Sequence, residues 1–153
     1  MRVTYMGVSG DAVQLQQNYL AIPLFSDAIS AGFPSPAQDY IEQTLDLNEL
    51  CIKHPAATFF VRVEGDSMIN AGIFPNDILV VDRSIQAVQG DIVVASLYGE
   101  FTVKELVLGA NPCLLPHNPA YLPISIPEGS DMEIFGVVTN VVRNLRNRTT
   151  CQP

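Results

Sequence analysis

Ser67 and Lys104 are the two residues whose types and surroundings could do chemistry together. Ser67 lies in "GDSM", directly after the apolar, β-rich run "ATFFVRV". A serine in a small-residue turn at a strand end is either an ordinary turn residue or a nucleophile held out for attack. Its hydroxyl attacks a carbonyl only when a neighbour takes its proton. The candidate bases are two histidines, His54 and His117, and two lysines, Lys53 and Lys104. His54 precedes Pro55, and His117 lies in "LLPHNPAY". Both contexts read as loops, and nothing ties either ring to Ser67, so both are read as surface or structural residues. Lys104 stands mid-strand in "EFTVKELVL". Alternation puts Leu106 and Leu108 on its face and Phe101, Val103 and Val107 on the other, so its neighbours desolvate an amine either way. A free lysine titrates near 10.4, which leaves roughly one in 2,500 neutral at pH 7. Burial without a carboxylate partner lowers that pKa by several units and makes the amine a competent base. The competing role is an edge-strand lysine that discourages aggregation, and pattern alone favours it. Two further parts are available. The backbone N–H groups of Ser67 and Met68 could face a developing oxyanion. Ala31-Gly32, in a proline-flanked extended segment with apolar residues on either side, is a candidate substrate within the same chain.

The elements that must position these residues fall into three stretches. Residues 1–38 carry several Gly and Pro between short apolar patches and read as an extended N-terminal arm, with one or two helical turns around Leu24 to Ile29. Leu24, Phe25, Ile29 and Phe33 are too apolar for a freely solvated tail, so the arm is expected to dock. In "DLNELCIKHP", Asp46 and Glu49 resemble a capping box and Pro55 closes the segment, which predicts a short helix. From Ala57 the pattern is β: "TFFVRVEG", "DILVVDRS", "DIVVASLYGEFTVKELVL", "PCLLPHN" and "MEIFGVVTNVV" are separated by Gly, Pro, Asn and Asp. Tyr98-Gly99 predicts a hairpin turn. No long helices alternate with these runs. The fold class is therefore mostly β, a compact, strongly curved antiparallel sheet or partial barrel over residues 39–146, with a tail at 147–153. Arg143, Arg146 and Arg148 form the one basic cluster and read as a solvated terminus.

Bulk properties exclude other classes. A chain of 153 residues with 48% hydrophobic content builds one core and is not disordered. A net charge of −8 fits poorly with a phosphate backbone, so no direct sequence-specific DNA binding is expected. Cys51, Cys113 and Cys151 are far apart and form no CxxC pair. Neither a metal site nor any other cofactor is expected, and few, odd-numbered cysteines fit a reducing cytoplasm. No signal peptide and no membrane-spanning run is visible.

Several segments together resemble the LexA/UmuD family of self-cleaving serine-lysine peptidases: "GDSM" at 65–68, "DILVVDRS" at 77–84, "GDIVVASLYGEFTVKEL" at 90–106 and "FGVV" at 135–138. The separation 104 − 67 = 37 matches the family's serine-to-lysine spacing. "PLFSDAISAGFPSPAQDYIEQTLDLNEL" resembles the UmuD branch's arm, cleavage segment and first strand, and the resemblance spans residues 22 to 143. It implies a curved β fold of the LexA C-terminal-domain type, forming a homodimer. It implies that Ser67 attacks the Ala31 carbonyl with Lys104 as base, breaking Ala31–Gly32, and that a RecA–single-stranded-DNA filament promotes the reaction. The shortened product would then join a UmuC-like Y-family polymerase subunit in error-prone translesion synthesis during the SOS response to DNA damage.

Other readings are weighed against this one. A repressor needs a DNA-binding domain before the cleavage segment, and thirty-one residues with several Gly and Pro and one Arg (Arg2) are not expected to hold it. A signal peptidase would need a membrane anchor. A non-enzymatic module that binds the polymerase or RecA, with an inactive site of the same fold, is the remaining alternative, and an assay decides it.

Overall fold

The computed structural model describes residues 2–5, 20–25 and 41–146. The chain divides into two compact units, Ser9–Lys53 and the rest, Met1–Val8 with His54–Pro153.

In the smaller unit, β2 (Ile22–Phe25) pairs antiparallel with β3 (Ile41–Leu45), with Pro23 opposite Thr44. The expected helical turn is not formed at Leu24 and Phe25, which lie in β2; its remaining residues fall outside those described. A two-stranded ribbon has only edge strands, so Pro23, which cannot donate a backbone hydrogen bond, is tolerated there. The short helix is present as α1 (Leu47–Cys51). Asp46 caps it: its carboxylate accepts the N–H of Asn48 at 2.8 Å and that of Leu20 at 3.0 Å. Those donors, Leu20 foremost, hold the Asp46 carboxyl below the usual range.

The larger unit is an eight-stranded antiparallel sheet, with β4 (Thr58–Glu64), β5 (Ile78–Asp82), β6 (Ile92–Leu97), β7 (Glu100–Val107), β8 (Cys113–Leu115), β9 (Ile124–Ser125) and β10 (Glu133–Val142). Its first strand is β1 (Arg2–Tyr5), and the spatial order is β1-β4-β5-β10-β6-β7-β8-β9. Residues 2–5, which the sequence alone assigns to an arm, pair with β4 from Arg2 opposite Glu64 to Tyr5 opposite Val61. The sheet is strongly curved. In a flat sheet β1 and β7, five strand spacings apart, would lie about 24 Å from each other. Here their Cα atoms approach within 8 Å. The central strand β10 bends at two register shifts, between Ile134 and Gly136 and between Val138 and Asn140.

Curvature gives the sheet two apolar layers. Val61, Val63, Met68, Leu79, Val81, Val94 and Val103 fill one. Val93, Ala95, Leu106, Leu114 and Val137 fill the other. This answers the ambiguity in "EFTVKELVL": Val103 serves one layer and Leu106 the other, so β7 is covered on both faces. The hairpin between β6 and β7 turns on Tyr98 and Gly99, with φ of 52° and 79°. Two successive left-handed residues match the twist of the flanking strands. Among the described residues no helix is long and apolar enough to cross a membrane, and no cluster of three or more His, Cys, Asp or Glu could hold a metal ion.

Candidate active site

The site is assembled by two chain segments of opposite character. Ser67 sits in the turn that leaves β4. Gly65, at φ 82°, lets the chain reverse there. Met68, the next residue after the serine, is fully buried in the first apolar layer and anchors the turn. A 3-10 turn over Ile69–Ala71 follows, so Ser67 is held by the buried side chain and the hydrogen-bonded coil directly after it. The backbone N–H groups of Ser67 and Met68 belong to this turn. Lys104 comes from the middle of β7, where it pairs with Val93.

The structure brings the two side chains together. Lys104 Nζ lies 3.0 Å from Ser67 Oγ, 2.8 Å from Thr102 Oγ1 and 2.9 Å from the Val103 carbonyl oxygen. Ser67 is 0% exposed and Lys104 3%. Every oxygen on the amine is neutral, and among the described residues no ion pair reaches it. Burial therefore acts unopposed by a counter-charge and pulls the Lys104 pKa from 10.5 down to about 8. The geometry sets where the lone pair points once the proton leaves. The Val103 carbonyl can only accept, and the Thr102 hydroxyl accepts as well, so two N–H bonds are committed. The fourth tetrahedral direction faces Ser67 Oγ, which can then donate its proton to nitrogen.

Neither histidine touches Ser67 through its ring. His54 Nδ1 lies 2.6 Å from Asp82 Oδ2, and the same carboxylate accepts from Ser84 N–H and Oγ–H. His117 Nε2 pairs with Glu105. Sequence reasoning left Thr102, Asn118 and Tyr121 unnamed and read His117 as a surface or structural residue without placing it at the Ser67 turn. Thr102 had a signal, since a strand places residue 102 on the face of residue 104. Asn118 and Tyr121 had none, and nothing in the sequence tied the backbone of His117 to Ser67. The His117 N–H donates to the Ser67 carbonyl at 2.9 Å, Asn118 Nδ2 to the Asp66 carbonyl at 3.0 Å, and the Tyr121 hydroxyl to the Asp66 carboxylate. Ala31 and Gly32 lie outside the described residues.

A strongly curved β sheet thus buries a serine and a lysine side by side. Residues 23–139 match the Peptidase S24-like family, and the chain belongs to that family, in its UmuD/MucA branch. It is 54% identical to Protein SamA of Salmonella typhimurium over 125 residues, 82% of this chain and 87% of SamA. It is 51% identical to Protein MucA of Escherichia coli over 121 residues, 78% of this chain and 83% of MucA. The LexA repressor of Alcanivorax borkumensis is 38% identical over 117 residues, 76% of this chain and 56% of the repressor.

Proposed function

We propose that this chain is a self-cleaving SOS mutagenesis protein whose Ser67 and Lys104 break the Ala31–Gly32 bond. The approach of Lys104 Nζ to Ser67 Oγ at 3.0 Å, among neutral oxygens and out of water, carries this reading. Neutral Lys104 takes the Oγ proton as Oγ attacks the Ala31 carbonyl carbon. The tetrahedral oxyanion is met by the N–H groups of Ser67 and Met68. Lys104 then returns the proton to the Gly32 nitrogen, which leaves as a new N-terminus. Water, activated by the same amine, hydrolyses the Ala31 ester and frees Ser67. A tethered substrate makes the attack unimolecular, worth several kcal/mol through effective concentration. A RecA–single-stranded-DNA filament raises the fraction of time the bond spends in the site, which controls the rate. The shortened protein, a cytoplasmic homodimer without cofactor, then serves a UmuC-like Y-family polymerase in translesion synthesis. Kinship with SamA, MucA and the LexA repressor supports this biology.

Intact mass followed over time at alkaline pH tests the chemistry. The expected result is a product beginning at Gly32, absent in Ser67→Ala. A stable wild-type mass, even with a RecA filament and nucleotide added, would turn the reading to a binding module with an inactive site.

A further inference from the structure

Loop 116–121, which follows β8, touches the Ser67 turn on one side and Glu105, the chain neighbour of Lys104, on the other. It leaves the sheet at Leu115, which lies opposite Glu105, the neighbour of Lys104 on β7. His117 comes two residues later. Its N–H donates to the Ser67 carbonyl at 2.9 Å, and its own carbonyl accepts the Asn70 N–H at 2.9 Å. One residue thus brackets the serine turn from both sides. The ring of that same residue reaches back to β7 and pairs through Nε2 with Glu105. The contact is largely shielded, with 32% of the His117 and 22% of the Glu105 side chain exposed, so it is screened less than a surface pair. Asn118 and Tyr121 latch the rest of the loop to Asp66.

We propose that His117 is a positioning residue: its main chain holds the Ser67 turn, its ring holds β7 at Glu105, and together they fix the separation of Oγ from Nζ. The two halves of the pair are 37 residues apart and come from different elements, so something must hold them in register. A displacement of about 1 Å at such a pair can cost on the order of a hundredfold in rate. The inference rests on the dyad reading above. The charged or titratable groups around this link are Asp66 on the serine turn, Tyr121 on the loop, Lys104 and Glu105 on β7, and His117 itself.

Removing the ring while keeping the backbone isolates the claim. His117→Ala is expected to slow self-cleavage about tenfold. It should also move the midpoint of the rate-against-pH curve up from about 8 towards 10.5, because a loosened β7 lets water reach the Lys104 amine. A loop that merely adds stability would lower the melting temperature and leave that midpoint in place. His117→Gln, whose amide can still donate to Glu105, should recover most of the rate. Glu105→Ala should resemble His117→Ala, and the double variant should be no slower than either single one. Phosphonylation of Ser67 by a small fluorophosphonate, read by intact mass, gives a second rate that does not need the tethered substrate. If the wild type reacts and His117→Ala matches it in rate and midpoint, the positioning role is wrong and the dyad stands. If the wild type neither cleaves nor is phosphonylated, the dyad reading falls and takes this inference with it.

Discussion

Two cations of this protein meet the same sheet in opposite ways. Arg143, at the end of β10, finds a buried carboxylate: Nε and one terminal nitrogen donate to Asp77 at 2.6 and 2.5 Å. It also donates to the Gly72 carbonyl at 2.7 Å and lies 4.2 Å over the Phe74 ring. Burial alone would raise the Asp77 carboxyl, but hydrogen bonds from Arg143 and the Phe74 N–H hold it below its ordinary value. Its hydrogen bonds to Asp77 in turn push Arg143 up. Both charges are locked on. Among the described residues, Lys104 bonds to a serine, a threonine and a carbonyl, and burial takes its proton affinity down. A cation with a buried counter-ion is a fastener. A cation without one is a group that can release its proton near neutral pH.

The sharpest way to break that distinction is to make Lys104 unable to lose its charge. Lys104→Arg keeps a cation at the site, but a guanidinium does not deprotonate in proteins. Self-processing should fall at least a thousandfold, which is the scale of a lost general base with its nucleophile. Product at a rate near wild type, in a variant with native melting behaviour, would remove the base from position 104. The complementary change is Arg143→Ala. It leaves the buried Asp77 carboxylate with the Phe74 N–H but without its counter-ion. An orphaned buried carboxylate should lower the stability of the fold, measured by chemical denaturation. Processing per folded molecule should drop far less than in Lys104→Arg. Equal loss in the two variants, both folded, would erase the division between fastener and base.

The same contrast marks how far the amino-acid sequence is legible by itself. The strand runs from Thr58 to Val142 carry β-branched and aromatic residues between turn formers, and β4 to β8 and β10 lie where those runs lie. Tyr98-Gly99 and Asp46 act through local chemistry, a left-handed turn and a helix cap, which neighbouring residues alone determine. Arg143 reads in sequence as part of a solvated basic tail because its partner Asp77 is 66 residues away. Strand β1 reads as arm because four residues carry almost no periodic signal until β4 supplies a ladder. His117 is passed over because its ring has no serine to serve, while its backbone, which no residue type reveals, holds the Ser67 turn. Contacts made by side-chain type at short range are readable, and contacts made by backbone or across the fold are not.

The subtlest test of the comparison is thermodynamic. If Lys104 is a buried amine without a counter-charge, it should weaken the fold wherever it is protonated. Its pKa is 10.5 in the unfolded chain and about 8 in the folded one. Between those values the unfolded state binds more protons, so stability rises with pH across that window and is lower by the full amount below it. Lys104→Met keeps the stem volume and removes the charge. It also strips a donor from Thr102, Val103 and Ser67, each loss worth about 1 kcal/mol, which offsets most of the gain from no longer desolvating an ammonium. The net expectation is about 1 kcal/mol of added stability at roughly pH 6, reversing to a deficit of about 2 kcal/mol near pH 10.5, where the folded amine is neutral and the unfolded one is half protonated. Urea midpoints of the two proteins at the two pH values measure the difference directly, and titrations shared by both cancel. A difference that stays constant across the window would mean that Lys104 keeps its proton there. It would then be a second fastener, and Ser67 would need another base.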